Sequence, residues 1–149
     1  MRNAFSLVEM VIVVAMIGIM AALVIPCFNG QTLEAKEAAA KGDLRILRSA
    51  IEFYAVRHSG VAPGYPDNDR TRVPTVDQFR TQMTTQEICL RKIPENPFND
   101  LDTMYIIQNG EAFPADATGA YGWIYQPVTK VIRLDWPGRD NGSVRYFDY

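Results

Sequence analysis

One histidine, two cysteines and no long run of a single charge are all that this 149-residue chain offers to chemistry-bearing patterns. Any Ser-His-Asp or Cys-His relay would have to pass through His58, which stands beside Ser59 and Gly60 at the end of an amphipathic segment. A cation there is favoured by the helix dipole, so His58 reads as part of a helix end. No CxxC, HExxH, GxGxxG or phosphate-loop pattern occurs, and Cys27 and Cys89 with one histidine cannot supply a structural zinc site. The chain therefore reads as a non-enzyme with no cofactor. Its 15 basic and 17 acidic residues leave a net charge of -2, which gives no footprint for a polyanion. Arg45, Arg48, Arg57, Arg70, Arg72, Arg80 and Arg91 alternate with Asp43, Glu52, Asp67, Asp69 and Asp77, the pattern of a solvated face and not of a nucleic-acid platform. After residue 33 no second uncharged stretch reaches spanning length, which excludes a multi-span membrane protein.

What is present is concentrated at the N-terminus. Of the residues from Phe5 to Phe28 only Ser6, Glu9, Gly18 and Pro26 are not apolar, and no charge occurs from Met10 to Leu33. As a helix this segment measures about 36 Å, enough for a hydrocarbon core of about 30 Å. A cleaved secretory signal fits poorly, because the leader carries only Arg2 and no A-x-A site leads into a polar start. A lipoprotein signal fits no better, since Pro26 precedes Cys27. Glu9 is the anomaly: an ionisable side chain at mid-membrane depth costs about 2.5 to 3.5 kcal/mol. Either it sits at the headgroups as an ordinary helix-start acid, favoured by the dipole, or it has a partner.

The sequence Ala4, Phe5, then Glu9 four residues on, then an aliphatic run interrupted by Gly18 and Pro26, resembles the prepilin N-terminal signature of type IV pilins and type II secretion pseudopilins over residues 2 to 28. The resemblance implies cleavage by a prepilin peptidase between Ala4 and Phe5 and N-methylation of Phe5. It also implies pairing of Glu9 with the Phe5 amine of a neighbouring subunit, which offsets the cost of a lone carboxylate in a low dielectric. The family usually has Gly before the cut; Ala4 is also small, so processing is expected, at a lower rate. Gly18 and Pro26 mark a permissive position and a kink, and the stretch between them is where helicity is expected to yield in a filament.

Beyond Pro26, apolar residues at Leu33, Ala40, Leu44, Leu47, Ile51 and Tyr54 follow a helical stripe that faces a core, in an amphipathic helix ending at Gly60 with a Glu37–Lys41 pair on its outer face. The segment Asp43–Tyr54 and the Gly64–Tyr65–Pro66 turn are similar to the corresponding parts of major pseudopilins. Thr75 with Gln78 forms a capping-box pattern that starts a second helix to about Leu90. The proline-bracketed Lys92–Asp100 also resembles the pseudopilin turn before the sheet. Strands are expected at Tyr105–Gln108, Tyr121–Gln126 and Val131–Trp136, the last two joined as a hairpin through Pro127–Val128–Thr129. Some major pseudopilins hold calcium in a C-terminal loop, and Asp135, Asp140 and Asn141 are oxygen donors of the right type. Their spacing reproduces no loop signature, and Asp-Asn-Gly clusters are commonly turns, so no metal is assigned.

The expected architecture is α+β and pilin-like: a long N-terminal helix, membrane half plus amphipathic half, packed on a small antiparallel sheet. Residues 1–4 form a leader, 5–28 the transmembrane and filament-core helix, 29–60 the amphipathic half, and 61–149 a globular part with a short helix and the sheet. The resemblance implies a structural subunit of a type II secretion pseudopilus, anchored once in the inner membrane with its C-terminal domain in the periplasm. Its implied partners are copies of itself in a helical filament, prepilin peptidase, the assembly platform with minor pseudopilins, and the lipid bilayer. Two alternatives stay open: a type IV pilus subunit, and a singly anchored periplasmic domain that never polymerises.

Overall fold

The computed structural model describes residues 6–86 and 90–149, with side chains at all of these except 21–32, 85 and 86. Ala4, Phe5, Cys89 and the side chains of Pro26 and Cys27 lie outside the described residues. The chain divides into two compact units, Met1–Lys36 and Glu37–Tyr149.

Helix α1 runs from Leu7 to Arg57 and is continuous through positions 18–26. Glu9 lies in its first turn and Arg57 in its last, each opposite in sign to the adjacent dipole end. The helix stops earlier than Gly60. Ser59 turns left-handed (φ 54°) and the Gly60 N–H returns to the Ala55 carbonyl at 2.7 Å, the six-to-one closure of a Schellman cap. Among the described residues, no helix is long and apolar enough to cross a membrane.

In the second unit, Ala40, Leu44, Leu47, Ile51 and Tyr54 are all buried and share a core with Phe79, Met83, Trp123, Tyr125, Ile132 and Leu134. Leu33, placed on the same stripe by its spacing, is 39% exposed. Periodicity defines a face of the helix but does not say where cover for that face begins, and among the described residues burial begins at Ala40. The Glu37–Lys41 pair does not form either. Glu37 accepts the Tyr146 hydroxyl at 2.9 Å, while Lys41 lies 4.1 Å from the centre of the Tyr149 ring and 3.8 Å from Asp140. Both charges serve the chain's last segment, whose partly buried contacts outweigh a solvated i,i+4 pair worth a few tenths of a kcal/mol.

Gly64 (φ 113°) turns the chain after α1, and the buried Gln82 side chain fixes that turn by accepting Gly64 N–H at 2.7 Å and donating to the Tyr65 carbonyl at 2.9 Å. Helix α2 spans Val76–Thr81 and continues as a π-helical turn, Gln82–Gln86. Thr75 caps it by accepting Gln78 N–H at 3.2 Å, but the Thr75 N–H donates to the Gly64 carbonyl, so the cap ties the helix to the preceding turn.

The sheet contains β1 (Met104–Ile106), β2 (Trp123–Gln126) and β3 (Val131–Leu134) in that order. Strands β2 and β3 form the expected antiparallel hairpin, closed by Lys130 in a left-handed conformation (φ 59°). Strand β1, however, pairs parallel to β2, with Met104 opposite Trp123 and Ile106 opposite Tyr125, so the sheet is mixed and not antiparallel. The physical reason is the connection: a tight turn reverses the chain after β2, whereas the long segment from Ile107 to Gly122 carries it back to β1's starting end.

Candidate functional site

The N-terminal stretch of α1 shows apolar side chains on every side. Leu7, Val8, Met10, Val11, Ile12, Val13, Val14, Met16, Ile17, Ile19 and Met20 are all exposed, from 44% at Val13 to 80% at Leu7. A surface helix of a water-soluble domain carries one apolar stripe, so a helix apolar all round calls for an apolar environment all round. Each such side chain is worth about 1.5–3 kcal/mol when fully removed from water. Glu9 is the only ionisable residue among these positions and is itself exposed. The Glu9 and Met10 amides both return to the Ser6 carbonyl, at 3.0 and 3.2 Å, so the carboxylate stands in the first turn with its backbone already satisfied. Among the described residues, nothing lies within 4 Å of a side chain built at Gly18.

In the globular unit, the acidic residues weighed for calcium are engaged by the protein. Asp135 is fully buried and accepts four bonds: from the Thr118 amide (2.6 Å) and hydroxyl (2.7 Å), the Gly119 amide (3.1 Å) and the Tyr121 amide (3.0 Å). Asp140 accepts the Val144 amide and the Tyr149 hydroxyl, each at 2.9 Å. The Val144 amide is the chief cause holding its carboxyl below the usual carboxylate range, despite the opposing desolvation. The structure does not bring Asp135, Asp140 and Asn141 into one ligand set, and among the described residues no group of three metal-ligating side chains occurs.

His58 stacks on Tyr54 with ring centroids 3.9 Å apart, and its Nδ1 lies 2.9 Å from the Tyr54 carbonyl, a helix-end arrangement. The arginines largely find internal partners: Arg80 with Asp102, Arg72 with Asp67, and Arg145 with both Asp116 and Asp148. A concavity of about 390 Å³ lies between α1 and β3, lined by Arg48, Glu52, Lys130, Arg133, Asp148 and Tyr149. Four of its charges are paired, Lys130 with Glu52 at 2.7 Å and Arg133 with Asp148 at 3.1 Å.

Two residues have roles other than those read from the sequence, which placed Arg48 on a solvated face and weighed Asp135 for calcium. Arg48 donates to the Ile132 carbonyl at 3.3 Å and the Tyr149 carbonyl at 2.5 Å, joining helix, strand and final segment. Burial, and then the nearby Arg133, lower its pKa from the ordinary guanidinium value. Asp135 clamps a loop whose donors lie 14 to 17 residues away, and no local spacing announces such a partnership.

No family model matches the sequence, and no solved structure is significantly similar to it. Two curated proteins are. The chain is 38% identical over 53 residues to type II secretion system core protein G of Pseudomonas aeruginosa, an alignment covering 36% of this chain and 37% of that protein. It is 25% identical over 109 residues to type II secretion system core protein G of Klebsiella michiganensis, covering 65% of this chain and 68% of that protein. The chain thus spans just over a third of the first relative's length. The resemblance to the pseudopilins read from individual residues is matched by these alignments.

Proposed function

We propose that this chain is a structural subunit of a type II secretion pseudopilus, held in the inner membrane by its N-terminal helix and polymerised through it. The observation that carries this reading is the all-round exposure of apolar side chains from Leu7 to Met20, with one carboxylate, Glu9, in the first turn. Lipid covers that surface in storage, and copies of the same helix cover it in the filament. The transfer between them exchanges one apolar environment for another, so apolar burial alone gives little direction and the polar contact must set the register. In this reading the peptidase cuts between Ala4 and Phe5, Phe5 is N-methylated, and Glu9 pairs with the Phe5 amine of the next subunit. Gly18 and Pro26 bracket the stretch that yields on packing. The names of the two relatives favour a secretion pseudopilus over an extracellular pilus.

The test is intact mass and N-terminal peptide mass spectrometry of protein purified from membranes of cells that contain a prepilin peptidase, alongside chemical crosslinking of wild type and Glu9→Ala. The reading expects a chain that starts at N-methylated Phe5 and a crosslinked ladder that Glu9→Ala abolishes while the protein stays in the membrane. A start at Met1 with no Glu9-dependent ladder would instead establish a plain anchor, and a cut near Cys27 would discard the reading.

A further inference from the structure

The dipeptide Asn-Gly occurs three times, at Asn29–Gly30, Asn109–Gly110 and Asn141–Gly142, and the structure treats the three differently. Asparagine before glycine is chemically labile, because the glycine nitrogen, unhindered by a neighbouring Cβ, can attack the asparagine side-chain carbonyl carbon. Whether it does so in a folded protein depends on how tightly the amide and the following nitrogen are held.

Asn29–Gly30 lies inside α1, where backbone dihedrals are fixed and the amides are committed to helical bonds. Asn109 is exposed but gripped: its Oδ1 accepts the Tyr65 hydroxyl at 2.7 Å, and its Nδ2 donates to the carbonyls of Arg70 at 3.0 Å and Arg72 at 3.4 Å. Removing that amide nitrogen would break two of these bonds. Asn141 is exposed, and none of the described residues hydrogen-bonds its side chain.

The ends of the Asn141 loop are pinned while the Asn141 side chain at its tip is not. The Asp140 amide donates to the Val144 carbonyl, the Ser143 amide donates to the Asp140 carbonyl, and Arg139 donates to the Ser143 carbonyl at 2.7 Å. Within this frame the Gly142 amide faces the Asp140 carboxylate, whose Oδ1 would stand 3.2 Å from a Cβ at Gly142. The nitrogen that must attack therefore has an acceptor for its departing proton within its own loop.

We infer that Asn141–Gly142 is a site of spontaneous deamidation in the folded protein, selected over the two other Asn-Gly pairs. The Gly142 nitrogen forms a bond to Asn141 Cγ, and the side-chain nitrogen leaves as ammonia with the proton lost from Gly142. Water then opens the resulting succinimide at either carbonyl, leaving aspartate or isoaspartate. The net change is one amide and one water converted to one carboxylic acid and one ammonia. An aspartate product sets a second carboxylate next to Asp140, which itself lies 3.8 Å from Lys41. An isoaspartate adds a methylene to the main chain inside the Asp140–Val144 turn and disturbs its hydrogen bonds.

Trypsin separates the three sites onto different peptides, ending at Lys36, Lys130 and Arg145, so each is read alone. The full chain in detergent, folded or unfolded in urea, is aged at mildly alkaline pH and sampled by mass spectrometry with an isoaspartate-specific methyltransferase assay. The unfolded chain is expected to convert at all three pairs, and the folded chain at least tenfold faster in the Asp140–Arg145 peptide than in the other two. Asn141→Gln should abolish the early signal. Conversion of the Asn109 peptide at an equal rate in the folded protein would overturn the inference, as would an Asn141 that converts only when unfolded.

Discussion

The Tyr146 hydroxyl donates to Glu37 across 2.9 Å and 109 positions of sequence, fastening the end of the chain to the first buried turn of the helix in the globular unit. Burial, chiefly, and then the Glu37 and Asp140 carboxylates push the Tyr146 phenol up to about 12 from its ordinary 10.0. The folded state therefore holds that proton after the unfolded chain has released it. Stability from this group is complete below pH 10 and declines as pH rises towards 12. Urea unfolding at a series of alkaline pH values should show this decline, and Tyr146→Phe should lessen it, leaving the share of the other raised phenols such as Tyr149, while costing about 1 kcal/mol at neutral pH.

Asp135 gathers the loop at residues 118–121 onto β3 through four bonds to one buried carboxylate. Asp135→Ala leaves those donors without an acceptor and is expected to cost about 3 kcal/mol or more. Hydrogen exchange gives the specific signature: the amides of Thr118, Gly119 and Tyr121 should lose protection before the strand amides do.

Leu47 and Ile46 are neighbours in sequence and opposites in the fold, Leu47 fully buried and Ile46 52% exposed. Leu47→Ala is expected to destabilise by about 2–5 kcal/mol, and Ile46→Ala to remain within about 0.5 kcal/mol of wild type. Chemical denaturation of both variants checks the pair, and equal costs would contradict the assigned helix face.

Gly122 enters β2 against the backbone of the Leu101–Thr103 segment. A Cβ there would stand 2.2 Å from the Leu101 carbonyl oxygen, a contact that no side-chain movement relieves. Gly122→Ala should therefore cost several kcal/mol, of the order of a severe overpacking lesion, and the loss should appear as poor recovery of folded protein. Gly18→Ala, with nothing within 4 Å, should leave the isolated subunit's folding unchanged.

The Leu44, Leu47, Ile51 and Tyr54 stripe was legible because burial on one helix face imposes its own period, and all four are buried. The β2–β3 hairpin was legible because Pro127–Lys130 is a short turn between β-rich runs. The direction of β1 was not, since a long connection permits either orientation and the residues of a three-residue strand carry no record of it. Nor were the partners of Glu37 and Lys41 legible: the i,i+4 rule sees only the helix, and the competing groups, Tyr146, Tyr149 and Asp140, lie about a hundred residues on. At the candidate assembly helix, Glu9 and the apolar run declared themselves by composition alone. The Arg48 and Asp135 contacts needed the folded chain.

The mixed sheet also fixes an order of events. The β2–β3 hairpin closes over a handful of residues and can form on the microsecond scale, while β1 gains its parallel partner only after a much longer loop has closed. The first strand of the sheet to be made is thus the last to be secured. Until that closure Met104 and Ile106 have no partner strand, and a sheet edge at β2 stands open to another chain. The speed of that single closure sets how long that edge stays open to strand exchange with a neighbouring chain.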